Sequence, residues 1–287
     1  AVGQGALGAN TTANNNTALG YNALTANTTG ANNVALGYAA SYTNVTGFNN
    51  TAIGVNALYT NTASNNTAIG RDALKLSTAD NCVAVGSLAL DANSTGAANV
   101  AVGYAALGAN TTGDYNVAIG GGSLDTNTTG SNNVAMGINA LTANTTANNN
   151  TAIGHYALTA NTTGGDNTAI GFEAGKDMTS GDRNTAVGYE AAEKNTTGSY
   201  NVAVGSFALW ASTTANNMVA VGYNALQGVT TGHSGTAVGY EALTSNTTGA
   251  NNTAYGYQAF KDLTTGNSNT AVGRQSGHNV TTGSDNA

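Results

Sequence analysis

The chain has 287 residues, with 39 glycines, no proline, 7% charged residues and a net charge of −7 from 7 Lys+Arg against 14 Asp+Glu. So few cations offer no basic patch to neutralise phosphates, which excludes an electrostatic nucleic-acid binder; no run approaches the roughly 18 apolar residues that a membrane-spanning helix needs. The absence of proline indicates backbone N–H groups in demand along the whole chain, as in a continuous hydrogen-bonded ladder, and a strict aliphatic period separates the sequence from low-complexity disorder.

The period is carried by an Ala-aliphatic-Gly triplet. Its glycine falls at Gly3, Gly20, Gly37, Gly54, Gly70, Gly86, Gly103, Gly120, Gly137, Gly154, Gly171, Gly188, Gly205, Gly222, Gly239, Gly256 and Gly273, which makes 17 units. Fourteen of the 16 spacings are 17 residues; the two flanking Gly70 are 16, each losing one residue near Thr62-Ala63-Ser64 or Ser77-Thr78-Ala79. Deletion without loss of frame marks that region as a turn. Fixed-period self-similarity is the signature of a solenoid.

Positions in a unit are counted from this glycine. At −4 stands Asn in 13 of 16 units, with Cys82, Met218 and Gly235 as exceptions. At −3 stands Thr or Val, at −2 Ala in all 17 units, and at −1 Val, Ile, Leu or Met, with one Tyr255. This β-branched segment is too short for a helix and reads as a strand. The glycine marks a bend. Ala at +3 and Leu at +4 (12 of 17 units) read as the start of a second short strand. A turn of the type Asn27-Thr28-Thr29-Gly30 closes the unit. The expected fold is all-β: a parallel β-solenoid of 17 coils of about 17 residues, one repeat domain over residues 1–287, about 80 Å long at a rise of about 4.8 Å per coil. The chain opens and closes inside a repeat, so a window of a longer array is expected.

Stacking places each position over its equivalent. The aliphatic residue at −1 and the Leu at +4 are expected to fill the interior, the −4 Asn to form an amide ladder, and Tyr21, Tyr38, Tyr104, Tyr189, Tyr223, Tyr240 and Tyr257 at +1 to stack. Strand parity then assigns a further role. If Ile153 points inward, Ala152 and Gly154 point outward, and a flat Ala/Gly face suits close approach of a second copy of the chain.

The residues that carry chemistry form no constellation. His155, His233 and His278 lie in distant coils at unrelated positions and read as isolated surface histidines rather than metal ligands. Cys82, in place of a ladder Asn, reads as a buried inert thiol. Glu173 and Glu190 share one position in adjacent coils; a solvated, mildly repulsive pair is expected ahead of a cation site or an acid/base pair. Gly120-Gly121-Gly122 is too short for a phosphate loop. Asn-x-Thr triplets such as Asn27-Thr28-Thr29 match glycosylation acceptors, with turn chemistry as their main explanation. No catalytic residue, metal or cofactor is expected, so the chain reads as a non-enzyme.

Asn99-Val100-Ala101-Val102-Gly103-Tyr104-Ala105-Ala106 and Asn116-Val117-Ala118-Ile119-Gly120 resemble the head repeat of trimeric autotransporter adhesins of the YadA type. Arrays of this kind are also similar to parts of phage tail fibres. The resemblance covers essentially all 287 residues. It implies a left-handed parallel β-roll, three chains side by side, and a role in surface attachment, on a cell or a virion. The turn here is about three residues longer than in the adhesins, which leaves a three-sided coil as the alternative cross-section. The expected protein is thus an extracellular homotrimeric fibre or adhesin segment, paired through its Ala/Gly strand face, with a host-surface or matrix ligand and no nucleic-acid or membrane partner in this segment. Ice binding through the Thr-Thr-Gly array (Thr28-Thr29, Thr111-Thr112, Thr128-Thr129) is the second function class; a phage tail-fibre shaft is a variant of the first. A pectate-degrading solenoid ranks lower, for want of clustered acids and bases.

Overall fold

Each coil after the first contributes one three-residue strand, and the strand falls where Thr/Val-Ala-aliphatic recurs. The computed structural model describes residues 1–286. They form two compact units, Ala1–Thr146 and Ala147–Ala287. The first holds strands β1 (Thr17–Leu19) to β8 (Val134–Met136), the second β9 (Thr151–Ile153) to β16 (Thr270–Val272). Within each unit, successive strands pair in parallel and in register, Ala over Ala, as in Ala101↔Ala118 and Ala169↔Ala186. The first triplet contributes a single bridge, Val2↔Leu19. The expected all-β parallel solenoid is therefore present.

The expected second strand is absent. Where Ala-Leu was read as extended, the chain turns through left-handed residues: Asn22 has φ 56° and Leu24 φ 52°, and equivalents such as Asn56 and Leu58 repeat this. A non-glycine residue there costs about 1–2 kcal/mol. Two gains offset it. Leu24 is fully buried, worth about 1.5–3 kcal/mol. The turn also keeps its ladder: the Asn22 N–H donates to Gln4 O at 2.9 Å and the Leu24 N–H to Ala40 O at 3.0 Å, one coil away on either side.

The parity assignment is inverted. Ala35, Ala68, Ala101 and Ala152 are fully buried, whereas Leu19, Ile69, Val102 and Ile170 keep 46, 37, 36 and 38% of their surface exposed. The interior is too narrow for a branched side chain on the strand. A Cβ placed on Gly175 would lie 3.1 Å from Leu158 Cδ2, 3.5 Å from Met178 Cε and 3.9 Å from Ala169 Cβ, so the strand Ala, the +4 column and the +7 column meet at one point. The −1 residue faces outward, and the only methyl that fits inward is that of Ala. The Leu column at +4 is interior as expected, with Leu74, Leu107 and Leu141 fully buried.

The repeated glycine also has an explanation inside the chain. Gly103 has φ +139°, a conformation L side chains rarely adopt. A Cβ on it would lie 2.6 Å from both the carbonyl carbon and oxygen of Gly120 in the next coil. Ala at −2 and Gly at position 0 are thus constant because of their own neighbouring coils. The expected partnership through an Ala/Gly face is corrected on this ground: that Ala is inside the coil.

Candidate functional site

Two amide ladders shape the closing turn. The expected one at −4 is buried: the Asn116 N–H donates to Asn99 Oδ1 at 2.8 Å, and Asn116 Nδ2 donates to Gly130 O at 2.9 Å. The second, at +7, is also buried. Asn127 Nδ2 donates to Asn110 Oδ1 and to Gly130 O, both at 2.9 Å. Both ladders therefore meet on the Gly130 carbonyl and fill its two lone pairs. Gly113 repeats this, accepting from Asn99 at 2.8 Å and Asn110 at 3.0 Å. Reading the +7 Asn as a surface turn residue missed this. The signal was in three of its replacements, Met178, Val229 and Leu263, which are apolar and buried. The folded chain also keeps Asn27 of the Asn27-Thr28-Thr29 triplet out of solvent.

Three surfaces remain for function. The first is the outward strand strip, built from −3 and −1. It is Thr or Val beside an aliphatic residue in every strand except β15 (Thr253–Tyr255), where the second is Tyr255. The strip runs along each unit as an apolar −1 column beside a mixed Thr/Val column at −3.

The second is the aromatic column after the glycine. Tyr21 and Tyr38 stack at 5.3 Å between centroids and 11° between planes. In the second unit Phe172 and Tyr189 stack at 5.3 Å, Phe207 meets Tyr189 and Tyr223 edge-on at 5.3 and 6.2 Å, and Tyr223, Tyr240 and Tyr257 stack at 5.3 Å steps. Arg274 closes the run, 5.7 Å from the Tyr257 centroid. The stacking expected of these residues is present where aromatics are consecutive; Tyr104 stands exposed between Ser87 and Gly121.

The third is an exposed turn edge. The Thr111 hydroxyl donates to Thr128 O at 2.9 Å and the Thr128 hydroxyl to Thr145 O at 3.0 Å, so the first Thr of each pair is tied to the next coil. The second, as in Thr112 and Thr129, is exposed. Beside it runs an exposed amide ladder, Asn15 to Asn32 to Asn49 to Asn65, at 3.1–3.2 Å.

The single residues sort as follows. Cys82 is fully buried, its Sγ 3.4 Å from Gly96 O, and burial pushes its thiol up, away from thiolate reactivity. His155 lies against Tyr156 and Phe172, His233 Nδ1 accepts from the Asn216 N–H at 3.1 Å, and His278 stands 3.4 Å from Asp262; the three share no site. Gly120, Gly121 and Gly122 occupy the ordinary bend of their coil.

Glu173 and Glu190 do stand together, in a group the sequence reading had missed in part. Glu193 joins them, with ligand atoms of all three within 4.8 Å. This is not a bare acidic pair. Lys176 bridges to Glu173 at 2.9 Å; Lys194 bridges to Glu193 at 2.6 Å and to Asp177 at 3.1 Å. Trp210 Nε1 donates to Glu193 at 2.6 Å and Glu190 at 3.2 Å. Burial pushes the Glu193 carboxyl up, but Lys194 and the Trp210 N–H outweigh it and hold the group below the ordinary glutamate range. Glu193 and Asp177 in turn push the Lys194 ammonium up to about 12. The group is a partly neutralised charge network, four carboxylates against Lys176 and Lys194, with its donors already in place, and its geometry is that of a structural clamp between coils. Glu193 and Trp210 share position +5, three residues after the glutamates at +2, a spacing that only the coil geometry brings together.

Among the described residues no helix is long and apolar enough to cross a membrane. The sequence matches no protein-family model and no curated protein.

Proposed function

We propose that this chain is a segment of a non-enzymatic extracellular fibre or adhesin, assembled as a parallel homotrimer and serving surface attachment. The observation that carries the reading is the outward strand strip. A coil whose interior is already filled by its own Ala, Leu and Asn has no internal need for an aliphatic residue at −1, yet it keeps one. Contiguous apolar surface of this kind marks an interaction site. A second copy offers the same strip at the same period. Among the strands, half of the −1 side chains are 36–68% exposed and the other half are half-buried; covering what remains is worth about 0.3–1 kcal/mol per coil, so eight coils supply roughly 2–8 kcal/mol, against a cost of association of about 4 kcal/mol or more.

The Thr edge supports ice binding less well, because one of the two hydroxyls per coil is bound to a backbone carbonyl. The test is the double substitution Val102→Glu with Ile119→Glu, on adjacent coils of the strip. Both side chains point outward, so the far-UV circular dichroism is expected to stay that of the parent while the assembly dissociates to single chains. Unchanged assembly would overturn the reading, and measurable thermal hysteresis in its place would establish the ice-binding one.

A further inference from the structure

A groove of about 410 Å³ opens on the bend face of the first unit. One wall is Tyr38 at position +1, which is backed by its stack on Tyr21. The other is Tyr42–Tyr59 at position +5, stacked at 5.2 Å and 10°. The floor is position +2, where Asn22 and Asn56 flank Ala39. Ala39 has φ 51°, a conformation that favours Asn, and its missing amide makes the notch. Lys75 stands at one end, 3.4 Å from Asp72, which Arg71 already holds at 2.8 Å.

The chemistry of this lining is specific. Offset stacking leaves part of each ring face open. The hydroxyls of the three lining tyrosines, Tyr38, Tyr42 and Tyr59, and the Asn22 amide make no hydrogen bond within the chain among the described residues, and Asn56 spends its Nδ2 on Asp72 while its Oδ1 stays open. A purely apolar occupant would leave these groups unpaired. A phosphate or nucleotide would need more cation than Lys75, which faces Asp72 and Asp91 as well. A ligand with a C–H face for the rings and a rim of hydroxyls for the phenols and amides satisfies both parts. The volume lies at the small end of ligand clefts, about 300–1,000 Å³.

We infer that this groove is a binding site for a short neutral oligosaccharide, of two to three sugar units, clasped between Tyr38 and the Tyr42–Tyr59 stack. It names a ligand class for the attachment reading and rests on it. Each site is weak, and repetition of the chain in an assembly multiplies it through effective concentration.

The test titrates the full chain with cellotriose, maltotriose, triacetylchitotriose and trigalacturonate, followed by saturation-transfer NMR. At least one neutral trisaccharide is expected to bind in the millimolar range. Ala39→Gln fills the notch with a residue that stands at the same position as Gln258, in the same left-handed conformation (φ 54°), so the fold is kept; it is expected to weaken binding at least tenfold. Tyr59→Phe, which removes one hydroxyl only, is expected to weaken it about threefold, and Tyr257→Ala in the other unit not at all. No binding of any neutral probe at 10 mM, binding of trigalacturonate alone, or indifference to Ala39→Gln would overturn the site. Sedimentation of the same samples separates the two proposals: an intact assembly without sugar binding removes the groove alone, while a single chain that binds sugar removes the fibre reading alone.

Discussion

Replacing Gly103 by Ala tests the claim that coil-to-coil approach keeps the glycine. Two costs add. The first is conformational: φ +139° is a region almost confined to glycine, and a side chain there costs about 1–3 kcal/mol. The second is steric. The new methyl would sit 2.6 Å from the carbonyl carbon and oxygen of Gly120 and 3.0 Å from Gly121 N, against an ordinary separation of about 3.5–4.0 Å. The two coils must part by about 1 Å, across strands tied by the Val100 N–H to Asn116 O (2.9 Å) and the Gly120 N–H to Val102 O (2.7 Å). Overpacking of this kind costs about 1–3 kcal/mol. The sum is roughly 2–6 kcal/mol, a large part of the 5–15 kcal/mol that stabilises a typical domain. A control is built into the chain. Gly273 has φ +118° but nothing within 4 Å of its Cβ position, so Gly273→Ala carries the first cost without the second. Urea midpoints read by circular dichroism should fall in the order parent, Gly273→Ala, Gly103→Ala. If Gly103→Ala is no worse than Gly273→Ala, close approach of the coils is not what keeps this residue.

Asn127→Ala removes the donor to Asn110 Oδ1 and leaves Gly130 O with Asn116 alone; an unpaired buried group costs about 1–3 kcal/mol, and a fall of about that size in urea-derived stability is expected, whereas a solvent-exposed turn residue would change it by less than about 0.5. Cys82 should resist a thiol reagent in the native state and react in urea, because its thiol is buried and pushed up; rapid stoichiometric labelling of native protein would contradict that burial. For Glu193 the sign follows from its direction: a carboxyl held below its unfolded value adds stability above that value and loses it as pH falls through the folded one. Trp210→Phe removes a donor to it, which brings the folded carboxyl closer to its unfolded value, so the melting temperature of that variant should fall less than the parent's when both are scanned from pH 7 to 3. Coincident pH profiles would mean that the Trp210 hydrogen bond does not tune this carboxyl.

The solenoid was legible because every coil repeats the same code: constant Ala and Gly, a recurring Leu107, Leu124, Leu141, and an Asn99, Asn116, Asn133 ladder. The strand's inside and outside were not. Alternation alone fixes which residues share a face, not which face is the core, and the larger side chain was assigned to the interior. The residues themselves carried the correction. A column that accepts Leu36, Met136, Val187 and Tyr255 is not constrained by a narrow interior, whereas one that accepts only Ala is. The Ala-Leu stretch was misread as a strand because a left-handed Leu24 or Leu107 is rare and no local propensity announces it. Of the surface groups, Glu173 and Glu190 were recognisable by their shared position, but Glu193 and Trp210 reach them only through the turn, which the expected second strand would have straightened.

Partnership through the outward strip is the central claim, and the mass of the native assembly in solution tests it most directly. A chain of 28.2 kDa gives three times that, about 85 kDa, for a homotrimer. Sedimentation equilibrium is expected to return this mass for the parent and a single-chain mass for the Val102→Glu, Ile119→Glu variant. A parent chain that sediments at 28.2 kDa over the micromolar range would contradict it.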